Sequence, residues 1–172
     1  ALSIPGVAGI AIATRPDCLP DAVLELLSEL REQSYVCVEL GLQSAKPETV
    51  SYINRAYGNE IFRAAVQKLN ALGIDTCCPL ILGLPGESKE DMLQSLSYAM
   101  DSGVKGIKLQ LLHILKDSRL REPFLRGEFH LPSFEQYIEI VCDCIERIPP
   151  GVVLHRLTGD GMKEKLIAPL WS

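Results

Sequence analysis

Pro79-Leu80-Ile81-Leu82-Gly83-Leu84-Pro85-Gly86-Glu87 decides how the rest of the chain is read. Its first four residues are apolar without alternation, and such a run belongs to a strand buried on both faces, the habit of a parallel sheet covered by helices. Gly83, Pro85 and Gly86 then break the run as a turn would. Working outward, Ile107-Lys108-Leu109-Gln110-Leu111-Leu112 is a second such strand. The full set of candidates is Val7 to Ala13, Tyr35 to Leu42, Ile74 to Leu82, Gly106 to Leu112 and Val152 to His155. Helical patterns of about ten to fifteen residues separate them, which makes the class α/β. An open doubly wound sheet and part of a (βα) barrel both satisfy the pattern, and in both the ligand sits beyond the C-terminal ends of the strands.

The helices carry their own start and stop signals. From Pro20 to Glu32, Val23, Leu26, Leu27 and Leu30 fall on one stripe, with Pro20 suited to an opening turn. Pro47 to Asn54 is a short helical stretch. From Asn59 to Leu72 the inward residues are Ile61, Phe62, Ala65, Leu69 and Leu72, with Asn59 as cap and Gly73 as stop. Ser88 with Asp91, and Ser133 with Gln136, read as capping boxes; Gly103 ends the first of these helices, and Pro149-Pro150 the second. Lys116 to Leu131 is the least regular stretch and is expected to be a surface excursion.

With 172 residues, 47% of them hydrophobic, the chain suits one globular domain, 1–172. A net charge of -5 argues against direct, unaided nucleic-acid binding, which needs basic groups to neutralise phosphates. No apolar run is long enough to span a membrane and the N-terminus has no signal-peptide pattern, so the expectation is a cytoplasmic protein without a membrane partner. The chain opens at Ala1 and passes almost at once into an apolar strand, as an excised segment would. Cys18, Cys37, Cys77, Cys78, Cys142 and Cys144 include no C-x-x-C pair. Cys142 and Cys144 are expected to be packing residues, and Cys77 and Cys78 to face opposite sides of a strand.

Polar groups collect where the candidate strands end. Glu39, inside Val38-Glu39-Leu40-Gly41-Leu42, needs either an ion pair with Arg15 or Lys108 or a ligand to offset the burial of its charge. Gly41, Gly83 and Gly86 suit turns or a close approach of backbone to ligand. Gln43 offers amide donors and an acceptor. Arg55, twelve residues on, either favours a helix end or binds a carboxylate in a bidentate way. Lys46 and Arg63 read as solvated. His113 and His155 follow strands, where an imidazole is structural or serves a substrate. Thr158-Gly159-Asp160-Gly161 is turn chemistry.

Taken in order, Ala13-Thr14-Arg15-Pro16-Asp17, Val38 to Ser44, Ile53-Asn54-Arg55, Leu80 to Glu87, Gly106 to Leu109, His155 to Asp160 and Ile167 to Trp171 resemble the radical S-adenosylmethionine superfamily. The likeness is to a bacterial branch of uncharacterised members near the Elongator catalytic subunit and the oxygen-independent coproporphyrinogen oxidases. The resemblance implies a partial (βα) TIM-like barrel, truncated at its N-terminus. It also implies a [4Fe-4S] cluster that reduces S-adenosylmethionine to a 5'-deoxyadenosyl radical. In such a protein the positions of Gln43 and Arg55 contact S-adenosylmethionine, Glu39 matches an acidic rim position, and Ile81, Leu82 and Gly83 lie against the adenine. His113 and His155 would stand on the substrate side.

The family's C-x3-C-x2-C cluster motif and its glycine-rich segment are absent from these residues and would lie upstream, so the segment by itself is expected to be inactive. Pro79 stands where relatives carry a polar residue, and it lacks an N–H for a central ladder. With strands missing, Val7 to Ala13 would be an open edge prone to self-association. The substrate is open, with RNA suggested by analogy to the Elongator relatives. Two other readings compete: a noncatalytic scaffold barrel, and an α/β enzyme that uses His113 or His155 as a base.

Overall fold

The computed structural model describes residues 4–159 and 161–171; Ala1 and Asp160, both used in the sequence reading, lie outside the described residues. In chain order the elements are β1 (Gly9–Thr14), α1 (Asp21–Gln33), β2 (Tyr35–Leu40), α2 (Pro47–Tyr52), α3 (Asn59–Ala71), β3 (Asp75–Leu82), α4 (Lys89–Ser102), β4 (Gly106–Leu111), β5 (Ile114–Leu115), α5 (Arg121–Leu125), α6 (Phe134–Arg147), β6 (Val153–Arg156) and β7 (Leu166–Ala168). Five of the strands form one parallel sheet in the order β1-β2-β3-β4-β6, while β5 and β7 pair antiparallel. Among the described residues the sheet stays open, with β1 at one edge and β6 at the other.

Helix placement separates the two architectures that the strand pattern allowed. Leu24 and Leu27 of α1, Phe62 and Leu69 of α3, Leu93 and Leu96 of α4, and Ile140 and Cys144 of α6 all join one core with Val36, Val38, Leu40, Leu80, Leu82, Ile107, Leu109 and Leu111. Those strand residues alternate in sequence and therefore share one face of the sheet. The four long helices thus cover a single face, as in a (βα) barrel segment and unlike a doubly wound sheet. Phe62, Val38, Leu40, Leu96, Ile107 and Leu109 are each 0% exposed. Complete burial of a side chain of this size is worth about 1.5–3 kcal/mol.

The local signals hold where they rest on hydrogen-bond chemistry. Ser88 and Ser133 each accept from the backbone of the residue three on, and Asp91 and Gln136 reciprocate. The cap at α3 differs from expectation: Gly58 precedes the helix without a side-chain cap, and Asn59 is its first residue, its amide turned back to Ala45 O at 2.7 Å. The stretch from Lys116 to Leu131 is also more than a surface excursion. It contains α5 and brings Phe124, Phe129 and Leu131 onto Leu84, Leu112 and Ile114, a second apolar cluster at the C-terminal end of the sheet. Cys144 packs in the core, but Cys142 is exposed and is no packing residue. No helix among the described residues is long and apolar enough to cross a membrane.

Candidate functional site

A proline shapes the site. The carbonyl of Pro79 accepts the Gln43 N–H at 3.0 Å and the Gln43 carbonyl accepts the Ile81 N–H at 2.9 Å, so Gln43 bridges to Leu80 beyond the regular end of β2. In a parallel ladder of this register the amide of residue 79 would donate to Gly41 O. Pro79 has no N–H to give. Gly41 O accepts instead from the Tyr57 hydroxyl at 2.6 Å. The pairing slips by one residue here: Glu39 is opposite Cys77, yet Gln43, four residues later, meets Leu80, only three later. The surplus residue makes a bulge at Gly41 and Leu42.

Gln43 sits at the apex. Its φ is +64°, and the Ser44 N–H donates to Leu42 O across it at 2.7 Å, the geometry of a tight three-residue turn with a left-handed centre. A side-chain-bearing residue held this way costs about 1–3 kcal/mol, strain that concentrates at binding sites. Its carboxamide lies over Gly41, where an added Cβ would stand 2.7 Å from Gln43 Nε2 and 3.1 Å from Tyr57 Oη. Gln43 Oε1 is buried and has no hydrogen-bond partner. A buried acceptor left unmade costs about 1–3 kcal/mol until something donates to it.

Arg55 is 7% exposed, and its five donors all point into the chain. Nη1 donates to Leu42 O at 2.7 Å and Ser44 O at 2.8 Å, Nη2 to Tyr57 O at 3.0 Å and Asn59 Oδ1 at 2.7 Å, and Nε to Tyr57 O at 3.0 Å. Its guanidinium lies 4.8 Å from the centroid of the Tyr57 ring, and Arg15, itself paired with Asp17, lies 5.6 Å from the same ring. Burial lowers the Arg55 pKa and raises that of Tyr57. The neighbours of Arg55, Asn54 at φ +53° and Ala56 at +69°, are the other two non-glycine residues with positive φ among those described.

On the sheet face away from the helices, Glu39 pairs with Lys108, one of the two partners expected for it. Cys37 and Cys77 flank the pair; burial raises both thiols, Cys77 to about 12. Ile81 reaches the second apolar cluster, whereas the Leu82 side chain is 1% exposed in the main core and leaves only its backbone toward the rim. Gly83, at φ +88°, passes so close to Pro132 that a Cβ would approach Pro132 Cδ to 2.9 Å. Lys46 and Arg63 are not simply solvated. Lys46 Nζ donates to Gly86 O and Asp91, and the Arg63 guanidinium lies 4.4 Å from the Tyr98 ring centroid. Asp91, hydrogen-bonded by the Ser88 backbone and by Lys46, is held down at about 2. Ser44 donates to Glu87, whose carboxyl is pushed up by desolvation.

The two histidines do not meet. His113 follows β4 at the C-terminal rim, its ring against the backbone of Gly159 and Gly161. His155 lies inside β6, beside Ile107 and Lys108 in register and over Gly106, where it lines a cavity of about 300 Å³ with Tyr35, Cys37 and Asp75, the N-terminal ends of their strands. The expectation that His155 stands at the same rim as Gln43 is therefore corrected: β6 is set low against β4. A cavity of about 520 Å³ opens between the Gly83 to Lys89 loop, residues 128–132 and α6; of the candidate residues it touches only Gly83.

Two family models match this chain. One describes the radical SAM superfamily and covers residues 2–99, more than half of the sequence, and the other describes the radical SAM C-terminal domain and covers residues 104–172. The chain belongs to the radical SAM superfamily. Protein YtqA of Bacillus subtilis, described as uncharacterised, is 43% identical over 171 residues, covering 99% of this chain and 53% of the relative. Protein YhcC of Escherichia coli is 39% identical over 172 residues, covering 99% and 56%. The chain thus spans about half the length of these relatives. Among solved structures, Elp3 of the archaeon Methanocaldococcus infernus superposes with a TM-score of 0.82 at 24% identity, covering 93% of this chain and 38% of that one. Coproporphyrinogen III oxidase of Escherichia coli, a radical SAM enzyme, gives 0.59 at 21%, covering 80% and 31%. Both likenesses concern the fold.

The superfamily uses S-adenosylmethionine and a [4Fe-4S] cluster. The residues here fit the first: an unpartnered buried carboxamide oxygen and a backbone cradle that a side chain at Gly41 would fill. Among the described residues no group of three His, Cys, Asp or Glu side chains is placed to hold a metal. Sequence reasoning singled out Gln43, Arg55 and Glu39 but not Tyr57, whose hydroxyl replaces the amide that Pro79 lacks. The signal available was Pro79 itself, a strand proline that leaves a neighbouring carbonyl needing a donor.

Proposed function

We propose that this chain supplies the S-adenosylmethionine side of a radical SAM enzyme's active site. The observation that carries the reading is Gln43 Oε1, a buried acceptor without a partner, held in a strained turn at the C-terminal end of a parallel strand. Reduced by a [4Fe-4S] cluster, S-adenosylmethionine supplies a 5'-deoxyadenosyl radical. The cluster ligands of this proposal are not among the described residues. Gln43 accepts from a hydroxyl or N–H of the cofactor, Ile81 offers an apolar side chain and Leu82 and Gly83 their backbone, and Glu39, paired with Lys108, lies on the open face. Arg55 belongs to this site in this reading, and His113, which follows β4, would stand on its substrate side.

Two relatives support RNA as the substrate class. A tRNA uridine(34) acetyltransferase of Methanocaldococcus infernus is 27% identical over 154 residues, and a tRNA-2-methylthio-N(6)-dimethylallyladenosine synthase of Fusobacterium nucleatum 29% over 87. With a net charge of -5, this segment would need further basic surface to hold such a substrate. Among the described residues no strand pairs with the outer side of β1, an edge that favours self-association or the addition of another strand.

The test is binding and turnover in the cluster-loaded protein under anaerobic conditions. Gln43→Ala is expected to weaken S-adenosylmethionine about tenfold, the worth of one hydrogen bond at about 1.4 kcal/mol, and to lower 5'-deoxyadenosine formation. Unchanged affinity would sink the assignment.

A further inference from the structure

From the reading of Gln43 as a cofactor ligand, on which this inference rests, we infer that Arg55 is a positioning residue. It holds the Gln43 turn in its binding shape and does not itself grip the cofactor's carboxylate. Four successive carbonyls run through the turn, and each has a donor. Gly41 O takes the Tyr57 hydroxyl, Gln43 O takes the Ile81 amide, and Leu42 O and Ser44 O take the same Arg55 nitrogen. One guanidinium nitrogen therefore clasps the backbone on both sides of Gln43. A lysine ammonium, with three donors on one nitrogen, cannot make these two bonds and the three that Nε and Nη2 of Arg55 make as well.

The remaining donors of Arg55 hold the segment that delivers it. Nε and the second terminal nitrogen bond Tyr57 O, and the latter also bonds Asn59. With all five N–H groups satisfied inside the chain, a ligand carboxylate could be met only by giving up a buried hydrogen bond. The distribution of strain points the same way. The three non-glycine residues with positive φ among those described are Gln43 and the two neighbours of Arg55. The chain is bent at both ends of one device, the turn that presents the amide and the turn that aims the clasp. Gln43 Oε1, the atom that the clasp does not satisfy, is the one left for a ligand.

A contact to the cofactor carboxylate and an effect relayed through Gln43 predict different couplings. Affinities for S-adenosylmethionine and for its decarboxylated form are measured in the cluster-loaded protein, without reductant, for Arg55→Ala, Gln43→Ala and the double variant. Positioning predicts that Arg55→Ala weakens both ligands by the same factor, about tenfold, and adds less than about twofold in the Gln43→Ala background. A loss confined to the carboxylated ligand, or full additivity with Gln43→Ala, overturns the inference while leaving the cofactor reading intact. No effect of Gln43→Ala itself defeats the cofactor reading instead. Asn59→Ala, which removes a single partner of Arg55, guards against misfolding of Arg55→Ala. It is expected to raise hydrogen exchange at the Gln43 and Ile81 amides and weaken both ligands about threefold; unchanged exchange with unchanged affinity counts against the clasp.

Discussion

On the helix-covered face of the sheet, Val36, Val38, Leu40, Leu80, Leu82, Ile107, Leu109 and Leu111 meet the helices with at most 3% exposure. On the opposite face the same strands present Cys37, Glu39, Cys77, Pro79, Lys108 and Gln110, with Gly41 just past the end of β2. Apart from Gln110, the side chains named are short, or charged and mutually paired. Because alternate residues of one strand serve both faces, the two chemistries are interleaved residue by residue. The covered face carries most of the apolar burial that drives folding, and the other keeps polar groups.

Truncation should separate the faces most sharply. Leu80→Ala, on the covered face, is expected to cost about 3 kcal/mol in chemical denaturation, through lost burial and a cavity, while its neighbour Cys77→Ala should cost less than about 1.5 kcal/mol. Equal losses would mean that the open face is core after all. A smaller effect is expected from the ion pair. Lys108→Met leaves Glu39 facing partly buried space and should cost about 1–2 kcal/mol, most of it recovered when Glu39→Gln is added. Failure to recover would show that Lys108 stabilises by packing and not by pairing.

The smallest effect lies at the seam, where Glu87 receives the Ser44 hydroxyl. Desolvation raises the Glu87 pKa, so the folded protein holds that proton more tightly than the unfolded chain does. Its contribution is complete below the ordinary carboxylate range and is lost as pH rises through the raised value. Glu87→Gln should therefore be more stable than the parent at neutral pH, with the gap closing on acidification. A gap that widens at low pH would reverse the sign of the argument.

Strand and helix positions were legible because period and capping chemistry are local. Both capping boxes follow from residue identity three positions apart, and Gly73 and Gly103 end their helices at φ +68° and +93°. The pairing of Glu39 with Lys108 was legible as one of two partners, since a buried charge demands one. The low seating of His155 was not, because register between β4 and β6 is set by packing across the sheet. Nor was the cluster formed by Phe124, Phe129 and Leu131, whose partners lie in other segments. For Arg55, sequence spacing marks the residue but cannot say whether its donors turn outward or into the backbone.

The proline in β3 has one more consequence. A ladder hydrogen bond ties neighbouring strands into one cooperative unit, and at Gly41 that tie is a phenol hydroxyl carried by a separate segment. Opening of the Gln43 turn therefore need not unzip the sheet below it, and the amides of Gln43 and Ile81 are expected to exchange through a local fluctuation less costly than global unfolding.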